Sequence, residues 1–156
     1  MGMPITVEIV DDSANTQSLN KIFSYFSYVD EKFSTYKDTS EIMSINRGET
    51  KELEASDDMR EVLKLSEETK LATEGYFNIR KPDGKYDPSG LVKGWAIKNA
   101  GDILIKNGFQ NFYVEAGGDI QTKGHNKEGK KWSVGIRNPF NRDENVKIVY
   151  IEDKGK

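Results

Sequence analysis

The sequence predicts an α+β domain with a mainly antiparallel sheet and helices packed on it. A period-two apolar run opens the chain, three- and four-residue periodicities dominate up to about Asn107, and four short strand-like runs follow between turn residues. Helices early and strands late do not fit a regular strand–helix alternation, which would announce a parallel sheet. A chain of 156 residues can bury one core, so a single domain over residues 1–156 is expected.

Ile5, Val7 and Ile9 alternate with Thr6 and Glu8 and give the first strand, which stops at the turn-forming Asp11-Asp12-Ser13. From Thr16 to Phe33, Leu19, Ile22, Phe23, Phe26, Val29 and Phe33 form one apolar helical stripe. Asp38-Thr39-Ser40 caps a short helix to Asn46, with Ile42 and Ile45 on one side and Arg47-Gly48 closing it. Ser56 ahead of Asp57 and Asp58 marks the next helix, because a hydroxyl can cap free amides and carboxylates favour the positive end of the dipole. Met59, Val62, Leu63 and Leu65 are its expected buried side, and it stops near Thr73-Glu74-Gly75. Pro82-Asp83-Gly84 is a turn leading into Asp87-Pro88-Ser89-Gly90 and a further helix. Its inner face is read as Val92, Trp95, Ala96, Ala100 and Ile103, and Asn107-Gly108 is its stop. Strands are expected over 111–115, 119–123, 131–137 and 146–152.

Composition excludes several classes of function. Lys and Arg total 23 against 26 Asp and Glu, a net charge of -3 without a basic tract, so nucleic acid is not an expected partner. No window approaches the roughly 18 consecutive apolar residues of a membrane helix, and the start lacks the basic-then-apolar pattern of a signal peptide. As the sequence stands a cytoplasmic location is expected. With no cysteine there is neither a disulfide framework nor a thiolate site, and the one histidine, His125, reads as a solvated loop residue. Gly124 to Lys130 imitates a phosphate-binding P-loop, but Lys131 stands where the magnesium-binding hydroxyl belongs and a strand follows where a helix is required. It is read as a hairpin turn.

Two segments can carry chemistry. In Asp87 to Gly94, two glycines bracket the start of a helix, whose unpaired amides attract phosphate. Lys93 is expected in the first helical turn, where the dipole disfavours a cation by about 0.3–1 kcal/mol unless an anion is bound. Asp87 can anchor a cation or a ribose; equally, Asp87 can be a simple turn or cap residue and Lys93 a solvated surface lysine. Glu115-Ala116-Gly117-Gly118-Asp119 lies between two strands, with the glycines read as a bulge or close approach and the two acids too far apart along the chain for paired acid–base work.

An ordered series of segments resembles the FAD:protein FMN transferases, the ApbE-type flavin transferases. It runs through Met1-Gly2-Met3, Phe33-Ser34-Thr35-Tyr36, Ser40-Glu41-Ile42 with Asn46, and Gly75-Tyr76-Phe77-Asn78. It continues through Asp87-Pro88-Ser89-Gly90-Leu91-Val92-Lys93-Gly94-Trp95-Ala96, Ala116-Gly117-Gly118-Asp119-Ile120, Trp132-Ser133-Val134-Gly135-Ile136 and Pro139. The resemblance covers nearly the whole chain. It implies an ApbE-like, T-fold-related architecture and an enzyme that splits FAD and attaches FMN to a threonine of an acceptor flavoprotein, using magnesium. Some relatives instead hydrolyse FAD to FMN and AMP, and a non-catalytic FAD-binding module is a further alternative. By position, Met1, Tyr36, Tyr76, Phe77, Asn78, Asp87 and Lys93 would contact FAD, and the Gly90 carbonyl would be one ligand of Mg2+. Tyr36 and Phe77 can otherwise be core aromatics.

Asn78 and Lys98 depart from the pattern, standing where the family carries aspartates. Three further family segments, Thr-Ser-Gly, His-x-x-Asp-Pro-x-x-Gly and Ala-Asp-x-x-Ala-Thr, the last supplying magnesium ligands, have no match here. The expectation is therefore a fragment, a truncated product or a chain that forms a homo-oligomer. The family also implies an extracytoplasmic, membrane-anchored location if a leader has been removed.

Overall fold

Alternating apolar residues and well-capped apolar stripes produce the elements the sequence announces. The computed structural model describes residues 2–141 and 143–151. In chain order they are β1 (Ile5–Ile9), α1 (Thr16–Phe33), α2 (Glu41–Asn46), a 3-10 turn (Glu52–Glu54), α3 (Asp57–Ala72), α4 (Ser89–Lys106), β2 (Phe112–Ala116), β3 (Asp119–Lys123), β4 (Trp132–Arg137) and β5 (Asn145–Ile151). The fold is α+β, as expected, and both of its sheets are antiparallel. No helix among the described residues is long and apolar enough to cross a membrane.

The strands form two sheets rather than one. One has the order β1-β2-β3 and the other pairs β4 with β5. The helices α1 and α4 each contribute residues to two compact units, one built from Phe23–Ala96 and the other from Met3–Ile22 with Ile97 onward.

In the first unit Phe26, Val29 and Phe33 of α1 are buried with Ile42 and Ile45 of α2, Met59 and Val62 of α3, and Val92 and Trp95 of α4. Phe33 meets Trp95 edge-on, with ring centroids 5.4 Å apart, a favoured aromatic geometry. Phe23 lies outside this core and is exposed. On α3 the third buried position belongs to Ser66, whose hydroxyl donates to the Val62 carbonyl at 2.7 Å; Leu65 is only half-buried. A serine can enter a helical core in this way because its polar atom is satisfied within its own helix.

Three helices meet at one carboxylate. Glu41 accepts from the Ser56 amide at 2.6 Å and from the Ser56 hydroxyl at 2.7 Å, and the Lys32 ammonium lies 3.3 Å away. Ser56 is also the N-cap of α3, accepting from the Met59 amide, so Lys32 of α1, Glu41 of α2 and the start of α3 form one network.

In the second unit β2 alternates strictly, with Phe112, Val114 and Ala116 buried. Gly101 of α4 sits against this sheet: a Cβ there would stand 2.9 Å from the Gln121 side chain and 3.6 Å from the Phe112 ring, so only glycine allows the approach. The inner position toward the end of α4 belongs to Leu104; Ile103 is half-buried. Gly117 and Gly118 have φ of 56° and 93° and join β2 to β3 as a two-residue hairpin turn, with Ala116 opposite Asp119. Read from sequence as a bulge or a close approach, the segment is a turn, and Gly117 is also closely approached: a Cβ there would stand 3.0 Å from the Met3 sulfur. The Glu115 carboxylate accepts from the Gly118 amide at 2.7 Å and braces the turn. The segment at Gly124 is also a turn: His125 bridges Lys131 and β4 follows, as expected.

The Glu41 network generates a pH-dependent prediction. Burial alone would raise the Glu41 carboxyl, but the two Ser56 hydrogen bonds and the Lys32 charge outweigh it and hold the group below its ordinary value. A depressed folded pKa means the contribution is present above the unfolded value and is lost as pH falls through the folded one. Glu41→Gln should cost about 1.5–3 kcal/mol at pH 7, and urea unfolding should show that gap shrinking steadily below about pH 4.5.

Candidate functional site

Seven of the eight residues singled out from sequence lie within the first unit; Met1 lies outside the described residues. The segment between α3 and α4 organises them. Gly75 closes α3, its amide donating to the Lys70 carbonyl at 2.8 Å, and the Phe77 amide donates to the Thr73 hydroxyl at 3.0 Å. This leaves the Tyr76 side chain 97 % exposed, while Phe77 is half-buried. The Asn78 carboxamide oxygen accepts from the Arg80 amide at 2.9 Å and so shapes the next turn. Arg80 and Tyr86 then bridge across the Pro82-Asp83-Gly84 turn.

Asp87 is held on two sides. Its amide donates to the Ile79 carbonyl at 2.8 Å, and its carboxylate accepts from the Ser89 amide at 3.2 Å with the Lys81 ammonium 3.5 Å away. Burial alone would raise its pKa, but the Ser89 hydrogen bonds and Lys81 prevail and keep it below the ordinary carboxylate value. Asp87 is therefore charged at neutral pH. Pro88 is fully buried and its carbonyl accepts from the Val92 amide at 2.9 Å, the first α-type bond of α4.

The helix thus begins at Ser89, and Lys93 stands one turn inside it rather than in the first turn. The dipole penalty expected for Lys93 is correspondingly smaller, since that effect fades beyond the terminal turn. Side chains on a helix lean toward its N-terminus, so this position still serves the first turn. Gly90 lies in that turn, and a Cβ there would meet the Phe77 ring at 3.3 Å. The structure accordingly brings together Phe77, Gly90 and Asp87, with Lys93 one turn on and Asn78 one residue before Ile79. Tyr36 stands on the loop between α1 and α2, 97 % exposed, so neither it nor Tyr76 is a core aromatic.

Sequence reasoning missed the residues that position this segment. Asn46 of α2 donates to the Tyr86 carbonyl at 2.9 Å and accepts from the Tyr86 amide at 2.7 Å, a two-point clamp on the backbone just ahead of Asp87. The Tyr86 hydroxyl donates to Glu52 at 2.5 Å, and the Arg80 guanidinium lies over the Tyr86 ring, 4.5 Å from its centroid. These residues wall a cleft of about 530 Å³ shared with Lys51 and Leu53. Asn46 stood in the family-like series, but nothing in the local pattern marks Glu52 or Arg80.

Chemically, the arrangement offers a helix start whose first amide is bonded to a charged carboxylate, a lysine one turn on, and two exposed aromatic rings. That is a donor set suited to a phosphorylated aromatic molecule. The described residues contain no group of three or more His, Asp or Glu able to hold a metal.

The fold is an α+β architecture with two antiparallel sheets among the described residues. The ApbE family model matches residues 1–82 and 79–155, and the chain belongs to the ApbE family. The FAD:protein FMN transferase of Vibrio cholerae is 38 % identical over 58 residues, 37 % of this chain and 17 % of its own length. That of Haemophilus influenzae is 36 % identical over 63 residues, 40 % of this chain and 18 % of its own. Among solved structures, the flavin transferase ApbE from Vibrio cholerae superposes with a TM-score of 0.86 at 21 % identity, covering 98 % of this chain and 66 % of that one. The ApbE protein from Thermotoga maritima gives 0.83 at 18 % identity, with 97 % and 65 % covered. The chain therefore spans just under two thirds of these solved relatives.

The clamp is the most direct target for testing how the site is built. Asn46→Ala should lower stability by about 1–3 kcal/mol, since it strands the Tyr86 amide and carbonyl. Hydrogen exchange read by NMR should show the Tyr86 and Asp87 amides opening faster while amides in the middle of α3 keep their rates.

Proposed function

We propose that this chain carries the nucleotide-holding part of an FAD:protein FMN transferase. The observation that carries the reading is the start of α4: a helix N-terminus with Gly90 pressed close to Phe77, Lys93 one turn on, and a charged Asp87 just before it. Family membership and the names of the matched relatives support the same reading.

In this proposal the first turn of α4 and Lys93 hold the diphosphate of FAD, since backbone amides at a helix start and a lysine both favour anionic oxygens. Asp87, being anionic, repels phosphate and instead takes a ribose hydroxyl or a cation. Tyr36, Tyr76, Phe77 and Asn78 flank the ring systems, where the two exposed tyrosines would lose water on binding and so add affinity. In the transfer itself the P–O–P bond of FAD breaks. A threonine oxygen of an acceptor flavoprotein forms the new phosphoester with the FMN phosphorus, its proton is released, and AMP leaves.

Magnesium belongs to the family reading, and when bound it would neutralise phosphate charge. The Gly90 carbonyl and Asp87 are the only donors proposed for it at the start of α4, and they do not by themselves make a complete site, so no step is assigned to the metal.

The test is turnover of FAD with magnesium and a threonine-bearing flavoprotein acceptor, read as AMP release and as a mass gain of FMN on the acceptor. Lys93→Ala should cut AMP release by about 100-fold or more, the scale seen when a charge-stabilising donor is removed. FAD bound without AMP release identifies a non-catalytic holding module, and AMP with free FMN and an unlabelled acceptor identifies a hydrolase. Absence of FAD binding at micromolar concentration would sink the reading altogether.

A further inference from the structure

Residues within 45–53 and 80–86 line the cleft of about 530 Å³, and its mouth carries charge and apolar surface together. Lys51 is 82 % exposed there, Leu53 88 % and Arg80 54 %. The acid in the lining, Glu52, is already committed: it accepts from the Tyr86 hydroxyl at 2.5 Å and lies 3.5 Å from Nη2 of Arg80. Arg80 gives that same Nη2 to the Tyr86 hydroxyl as well, and its Nε and Nη1 have no acceptor among the described residues. Lys51 is 3.9 Å from Glu54, a contact too long and too exposed to hold it. Two cations against one carboxylate leave the lining one positive charge in excess, with N–H donors to spare, beside a leucine standing in water.

Sites for small molecules enclose most of their ligand, which a cleft walled by such exposed side chains cannot do. A polypeptide held elsewhere by its own domain needs only a groove with a few anchors, and arginine and tyrosine are the anchors that recur where proteins meet. The cleft also adjoins the residues proposed to contact FAD. Tyr86 immediately precedes Asp87, and Glu52, Arg80 and Tyr86 line a second cavity, of about 230 Å³, that reaches Asn78.

We infer that this cleft is the groove in which the acceptor polypeptide lies while its threonine is presented, with an acidic side chain of the acceptor against Arg80 and Lys51 and an apolar one over Leu53. The inference rests on the transferase reading above, since that reaction needs a polypeptide beside the nucleotide. Burial of Leu53 adds affinity, and the two cations set the choice of partner, because a basic segment would meet like charge.

The test uses the 156-residue chain and a fluorescein-labelled, end-blocked peptide, Gly-Ser-Asp-Ser-Leu-Ser-Thr-Gly, whose aspartate and leucine share one side when extended. Binding is read by fluorescence anisotropy, and FAD binding separately by quenching of flavin fluorescence. The peptide should shift NMR amide signals of residues 48–53 and 80–86, and replacing its aspartate by lysine should weaken binding about fivefold, the scale of partly solvated ion pairs. Lys51→Glu should reverse that preference, a result that a merely structural role would not produce. Leu53→Ser should weaken both peptides alike, Lys64→Glu on the exposed side of α3 should change neither, and all three variants should bind FAD as the parent does. The inference is overturned if the aspartate and lysine peptides bind equally or not at all. It is equally overturned if glutarate displaces the peptide at equal concentration, which would make the cleft a site for small carboxylates. A parent chain that keeps the peptide preference but does not bind FAD would support the groove and count against the nucleotide assignment.

Discussion

Two hydrogen bonds from one carboxamide hold the candidate site in place. Residues 76–88 contain no helix or strand, and ordering an irregular backbone costs about 1–2 kcal/mol per residue. Against that cost, Asn46 grips Tyr86 at both its amide and its carbonyl, and the Asp87 amide closes back on Ile79. Each such bond contributes only about 0.5–1.5 kcal/mol net, but leaving one buried group unpaired costs more. The burial of Pro88 completes the arrangement, because it fixes where α4 begins and therefore where its amides point. Gly90, Phe77 and Lys93 acquire their relative positions from that starting point.

The same logic explains what could be read from sequence. Helix and strand limits were legible because capping residues and apolar periods are local signals: Ser40, Ser56 and the Ile5-Val7-Ile9 alternation each act within a few residues. The α4 start was legible for the same reason, as were the turns at Gly84 and Gly124. The Asn46 clamp was not, since its partner is 40 residues away and an asparagine carries no mark of what it will bind. Glu52, 34 residues from the Tyr86 hydroxyl it accepts, was hidden in the same way.

The errors were local ones of phase. Lys93 is expected in the first turn of α4, whereas the helix begins at Ser89 and the lysine falls one turn inside. Gly117-Gly118, read as a bulge or a close approach, makes a two-residue hairpin turn with both residues at positive φ, and Met3 does approach Gly117 closely. The division into two sheets was invisible because strand patterns state which face is apolar but not which strand is the neighbour.

The start of α4 brings a capping carboxylate next to a helix N-terminus. A helix N-terminus attracts anions, yet Asp87 sits within two residues of it and remains ionised. The carboxylate accepts from the Ser89 amide and faces the Lys81 charge, so it caps the helix. In the reading proposed above, an incoming diphosphate would meet the α4 amides together with the Asp87 charge. Phe77 against Gly90 then sets the near wall, because any side chain larger than hydrogen at position 90 would displace the ring. The start of α4 is thus set by a glycine and a capping aspartate, two residues whose roles are structural before they are chemical.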